Sequence, residues 1–392
     1  MTIAVKRYTS TMTGAPGLTG VAGTLVSLLD ACLKDGFNTK TVSTASQTAG
    51  TATVETSTAH GYNVHDVIAI SGANEAAWNH EFRVLTAATN SFTFAISSGV
   101  TSPATGTMSV KIAPLNWTKP FSGANKAAYL PAAPYCQNYL RVLDDSTTPT
   151  SASGRWAKAR GYETMSDVDT GTGLFPTAAQ STNGLSWCKS STSDGTDRHW
   201  WLVGDSGIFY LGTFWHASGL TAAAGYAFGD IASLRAGDAY SSLLCGTGEG
   251  TDTLPSSAGG INHFASLGAY SATQTGKFLA RSYTQIGSAV AMGMMGDSGI
   301  STGIGHTAGL AYPHPPDNGL LFAPIGVVET SILRSRALPG IYQPLHITPL
   351  THLDLVTSVP DFSGRTFQAF DLAILNTNTR AQCLIDITGP WR

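Results

Sequence analysis

Only 12% of this chain is Asp, Glu, Lys or Arg, against about 25% in an ordinary soluble domain. The missing charge is replaced by 43 glycines and by abundant serine and threonine, and that replacement narrows the fold. Glycine costs about 1 kcal/mol relative to alanine inside a helix, so the composition argues against a helical bundle. Hydrophobic residues at 42%, with 8 Trp, 13 Tyr and 15 Phe, argue equally against disorder. A mainly β protein with sizeable cores is expected. At 392 residues and about 150 per domain, it should divide into two or three units.

The formal net charge is −3, from 22 basic and 25 acidic residues. No positive field is available to neutralise phosphates, so a nucleic-acid partner is not expected. No stretch approaches the roughly 18 apolar residues of a membrane span, and the first residues lack the apolar core of a signal peptide. Folding in a cytoplasm, without a membrane partner, is the expectation. A surface of Ser, Thr, Asn and Gly lacks the repulsion that keeps identical molecules apart, which favours self-assembly. Cys32, Cys136, Cys188, Cys245 and Cys383 contain no CxxC pair and are odd in number. Neither a zinc site nor a disulfide framework is indicated; five buried thiols are expected.

Three segments are expected. Residues 1–48 form an arm and helix: Leu25, Leu28, Leu29, Cys32 and Leu33 recur on one helical face within residues 21–35, and Gly36 follows as a left-handed cap. The Thr- and Gly-rich residues 9–20 read as an arm ordered only by contact, with a neighbouring subunit as the proposed dock and residues 1–36 as dispensable for folding. Residues 49–113 contain five alternating runs, at 51–57, 66–71, 81–86, 91–96 and 107–112, which predict a five-stranded barrel or sandwich. Residues 114–392 carry longer runs at 139–144, 156–164, 198–203, 208–214, 277–283, 320–329, 366–373 and 383–388, which predict a larger antiparallel β-domain. The polar stretch 246–260 reads as a long contact loop.

Gly-Asp-Ser-Gly occurs twice, at 204–207 and 296–299. It is similar to the nucleophile segment of chymotrypsin-like proteases, which would make Ser206 or Ser298 a nucleophile and His60 its base. Ile208 and Ile300 stand where that segment needs Gly, and the runs flanking the first copy predict a hairpin turn instead. Asp167 and Asp169 start like a calcium loop, but Ala178 occupies the position of the acidic bidentate ligand; an Asp-rich turn fits better. His60 with His65, and His346 with His352, lack a spacing that would put a metal pair on one face. Asp144 and Asp145 are adjacent, so on a strand they point apart and cannot serve together in glycoside hydrolysis; a solvated turn is expected. Residues 303–306 lack the lysine of a phosphate loop. Trp187, Trp200, Trp201, Tyr210 and Trp215 read as core and subunit contact, or alternatively as a sugar-stacking platform. No catalytic, cofactor-binding or metal-binding residue is assigned, and no cofactor is expected.

The stretch His60-Gly61-Tyr62-Asn63-Val64-His65-Asp66-Val67-Ile68-Ala69-Ile70-Ser71-Gly72-Ala73, followed by Trp78-Asn79-His80-Glu81-Phe82-Arg83-Val84 and Asn90-Ser91-Phe92-Thr93-Phe94, resembles a small β-module that recurs in structural proteins of tailed bacteriophages. Weaker similarity to phage virion proteins extends over residues 117–123, 161–169 and 338–346. The resemblance implies a virion component of the tail, the neck or collar, or the capsid surface. Its partners would be copies of itself and other virion proteins, and it would fold in the host cytoplasm before assembly. The alternative is a receptor-binding or glycan-cleaving tail spike or fibre, with a host-surface glycan as partner.

Overall fold

The computed structural model describes residues 3–132, 134–145, 155–217, 219–220, 223–247, 275–295, 310–346, 350–357, 359, 361–376 and 379–392. The second Gly-Asp-Ser-Gly, residues 303–306 and most of the stretch 246–260 lie outside them. The chain begins with β1 (Lys6–Thr9) and α1 (Thr24–Leu29), which runs into a π-helical turn, Asp30–Asp35. Six strands follow: β2 (Phe37–Thr48), β3 (Thr51–Thr56), β4 (Val67–Ser71), β5 (Glu81–Ala87), β6 (Ser91–Ala95) and β7 (Ser109–Ile112). Next come β8 (Thr118–Gly123), β9 (Lys126–Leu130), β10 (Tyr139–Leu143), β11 (Trp156–Tyr162), β12 (Thr164–Met165), β13 (Gly171–Thr172) and β14 (Leu185–Cys188). After these run β15 (Trp200–Gly204), β16 (Ile208–Phe214), β17 (Ala223–Asp230), β18 (Ser242–Thr247), β19 (Thr275–Leu279) and β20 (Val290–Ala291). The last are β21 (Gly293–Met295), β22 (Phe322–Pro324), β23 (Gly326–Glu329), β24 (Ile332–Ser335), β25 (Ile341–Pro344), β26 (Leu355–Val356), β27 (Phe367–Asn376) and β28 (Thr379–Asp386). The protein is mainly β; among the described residues the helical structure is α1 with its π-helical turn and a 3-10 turn, Ala76–Trp78.

The module closes as a barrel of six strands in the order β2-β3-β6-β5-β4-β7, one more than the alternating runs predict. The added strand, β2, carries only Phe37, Val42 and Ala45 inward. Irregularities in its pairing with both neighbours break the period of two, so its sequence does not alternate cleanly. β3, β5, β6 and β7 alternate, while β4, mostly apolar in sequence, buries Val67 and Ile68 side by side. Val54, Phe82, Val84, Phe92, Phe94, Val110 and Ile112 fill the interior, where Phe82 stacks on Phe94 at 4.1 Å and Trp78 meets Phe94 edge-on at 6.2 Å.

The largest sheet has 12 strands, following β1-β15-β16-β17-β18-β14-β11-β10-β9-β8, with β19 beside β18 and β20 beside β19. Every residue of β15 and β16 is buried, which requires both faces to be covered. Trp200, Leu202, Phe209 and Leu211 face a core shared with α1 and the barrel. Trp201, Val203, Ile208 and Tyr210 face a second core shared with Ile341, Phe370, Cys383 and Ile385 of the C-terminal five-stranded sheet, β22-β25-β28-β27-β26. The large sheet is thus the middle layer.

Gly212 permits this layering on the C-terminal side: a Cβ there would sit 2.1 Å from the Trp201 indole, which packs on Phe370 at 4.6 Å and donates its N–H to the Asp371 carbonyl. Gly212→Ala is expected to cost about 1–3 kcal/mol through overpacking, read as a lower urea midpoint with an unchanged slope.

The N-terminal arm behaves otherwise than its composition suggests. β1 pairs antiparallel with β15 as the edge strand of the large sheet. The Tyr8 hydroxyl donates to the Ala113 carbonyl at 2.7 Å, and Lys6 pairs with Glu81 at 2.7 Å. Leu18, Leu25, Leu28, Leu29, Cys32 and Leu33 are fully buried in the chain's own core. The contacts that order the described part of this segment are therefore intramolecular, which argues against the expectation that residues 1–36 are dispensable for folding. Gly36 does cap the helical segment with φ 72°, its N–H donating to the Ala31 carbonyl at 2.9 Å.

Candidate functional site

The Gly-Asp-Ser-Gly at 204–207 forms the hairpin between β15 and β16. The Asp205 carboxylate accepts the N–H groups of Gly207 and Ile208, both at 2.8 Å, which closes an Asx-type turn. His60 is built into the barrel instead: its Nδ1 accepts the Tyr62 N–H at 2.9 Å, and its ring stacks on Tyr62. Ser206 and His60 are not brought together. His346 Nε2 and His352 Nδ1 likewise accept the backbone N–H groups of Leu321 and Asp371, so these rings serve packing. Asp167 accepts the N–H groups of Asp169 and Thr170, and Asp169 pairs with Lys126 and Arg141. Those hydrogen bonds hold both carboxyls below the usual range. This is the predicted Asp-rich turn.

The proposed aromatic platform is interior. Trp187, Trp200, Trp201, Tyr210 and Trp215 are all buried, and Trp187 stacks on Tyr226 and donates to the Cys245 carbonyl. The reading of these rings as core is the one realised.

Asp144 is not in a solvated turn. It is fully buried against Lys189, also fully buried, at 2.5 Å. One carboxylate oxygen takes the lysine; the other accepts the Leu25 N–H at 2.8 Å, capping α1, which has no side-chain cap of its own. Lys189 also donates to the Val21 carbonyl at 2.7 Å. Burial pushes the Asp144 carboxyl up to about 6 and the Lys189 ammonium down, each opposed by the other's charge. The sequence offered no signal for this pair, because its members are 45 residues apart.

Burial likewise pushes the thiols up, those of Cys188 and Cys245 to about 12, with Cys32, Cys136 and Cys383 raised in the same direction. All five are free and buried. Since the thiolate is the reactive form, the native chain at pH 8 should react slowly with a thiol reagent such as DTNB. Cys136, beside the cleft described next, should react first, and all five should react after denaturation; rapid native labelling of several thiols would contradict the packing.

The candidate site is an open cleft of about 710 Å³ between the loop preceding β10 and the connection from β17 to β18. Three carboxylates on its wall are each engaged by an arginine. Glu163 takes Arg281 in a two-point contact at 2.5 and 2.6 Å. Asp238 takes Arg334 at 2.8 Å, and Asp230 lies 3.5 Å from Arg392. Arg334 is buried and also binds Glu329 at 2.5 Å and the Arg281 carbonyl at 3.1 Å, tying β24 to the cleft loop. Two tyrosines line the hollow with their rings fixed: Arg281 sits 4.2 Å above Tyr240, and Arg392 sits 4.5 Å above Tyr135. The sequence reading missed this site because its lining comes from three separated segments, and the arginines that engage it from three more, with no shared motif.

No family model and no curated protein matches this chain. Among solved structures, the phage phi92 endosialidase aligns over 90% of this chain and 52% of its own, at 11% identity and a TM-score of 0.17. The chain spans about half the length of that protein. A likeness at that score carries no argument about activity.

Proposed function

We propose that this chain is a structural component of a tailed-phage virion, in the tail, the neck or collar, or the capsid surface, acting through contacts with copies of itself and with other virion proteins. The observation that carries the reading is where the scarce charge lies. The chain has 22 basic and 25 acidic residues, and among the described residues twelve of these side chains are buried, Lys6, Asp66, Asp144, Lys189, Arg334 and Asp386 among them. Part of the scarce charge is thus withdrawn from the exterior, and sparsely charged surfaces associate with little electrostatic penalty. The segment that resembles the phage β-module supports the same reading, since its aromatic residues and His60 are spent on the barrel interior. Under this reading the chain folds in the host cytoplasm and then joins the particle, with no membrane or nucleic-acid partner. The spike alternative loses its motivating surface once the five rings are buried. Quantitative mass spectrometry of gradient-purified particles tests the proposal. The chain is expected at a fixed ratio to the other virion proteins, and its absence from particles would refute the assignment.

A further inference from the structure

A second hollow of about 300 Å³, lined by Leu174, Thr177, Arg281 and Ser288, adjoins the cleft. Glu163, which holds Arg281, lines both hollows. Sites that enclose ligands commonly span about 300–1,000 Å³, so the two together have room for several sugar rings. We infer that this groove is a saccharide-binding site for a neutral or weakly acidic oligosaccharide.

The lining carries the chemistry. Gln137, Thr164, Ser233 and the phenols of Tyr135 and Tyr240 present small neutral donors and acceptors along the larger hollow, the groups that pair with sugar hydroxyls, which both donate and accept. The Tyr135 ring lies between Gly207 and the Arg392 guanidinium, and Tyr240 lies under Arg281. Both phenols are thereby held in place before a ligand arrives, which lowers the entropic cost of binding. Every acidic side chain of the wall already meets an arginine, so the groove neither repels an acidic sugar nor offers the concentrated positive charge that a polyphosphate requires. Glu163 gives both of its oxygens to Arg281 and Asp238 gives one to Arg334, so these two carboxylates are engaged before a ligand arrives.

The inference concerns a different surface from the buried platform and does not rest on the place of the chain in a particle. The test is an array of purified bacterial surface polysaccharides and their oligosaccharide fragments probed with the full-length chain, followed by calorimetry on the saccharide retained. Gln137 and Arg235 are exposed at the groove. The double variant Gln137→Ala/Arg235→Ala is expected to bind at least tenfold more weakly with an unchanged melting temperature. Ser233→Trp, which fills the hollow, should abolish binding. Retention of no saccharide by the wild type, equal affinity in both variants, or retention of peptides in place of saccharides would each overturn the inference, while leaving the particle assignment to its own test.

Discussion

Asp144→Ala should lower the stability of the folded chain by about 3–5 kcal/mol, the usual cost of removing one partner from a buried ion pair. Two losses coincide. Lys189 is left charged and fully enclosed, and the Leu25 N–H at the start of α1 loses the carboxylate oxygen that accepts it. The pair is a cross-brace: Asp144 follows β10 and Lys189 follows β14, and between them they fix α1 on the large sheet. Asp144→Asn keeps an acceptor for the helix and should cost less than the alanine change. Asp144→Leu combined with Lys189→Met removes both charges together and should recover much of the loss, since a buried pair contributes little beyond an apolar replacement of similar volume. Urea unfolding of the four proteins followed by tryptophan fluorescence is the measurement. Single and double variants with equal midpoints, all near wild type, would contradict the account of this pair.

Deleting residues 1–36 should abolish the fold. Leu18, Leu25, Leu28, Leu29 and Leu33 are fully buried, and at about 1.5–3 kcal/mol each their loss alone removes about 10 kcal/mol. Net stabilities of about 5–15 kcal/mol do not survive such a change. The deletion also strips β1 from β15, leaving a long apolar sheet edge open to pairing with other chains. Circular dichroism melting of the truncated chain is expected to show no cooperative transition, with most of the material insoluble. A soluble truncation with the wild-type melting curve would return the segment to the role of a detachable arm.

The same segment marks the limit of what the sequence carries. The helical face of Leu25, Leu28, Leu29 and Leu33 and the positive-φ glycine that ends it, Gly36, are legible because both are local. What covers that face is a long-range fact: many of its partners lie on distant parts of the chain, as the Tyr129 hydroxyl bonded to the Val26 carbonyl, 103 residues away, illustrates. In the barrel, the strands with clean alternation are readable, while β2 is not, because its irregular pairing moves inward positions off the period of two. β15 and β16 read as strands from their apolar runs. The strands β8, β9, β14, β17 and β18 are short or rich in Gly, Ala and Ser, and their identity comes from neighbours. The candidate cleft was invisible for the same reason. Its arginine–carboxylate pairs join residues up to 162 positions apart, and no local pattern encodes such a meeting.

The central claim is that a chain with so little exposed charge is built to be covered by other subunits. A density map of the intact particle, with this chain traced through it, tests that claim most directly. The account predicts repeated copies related by the symmetry of the tail, neck or shell, with their Ser-, Thr- and Gly-rich faces in mutual contact. A particle map fully explained by other chains, beside a purified protein that stays a monomer in solution, would contradict it.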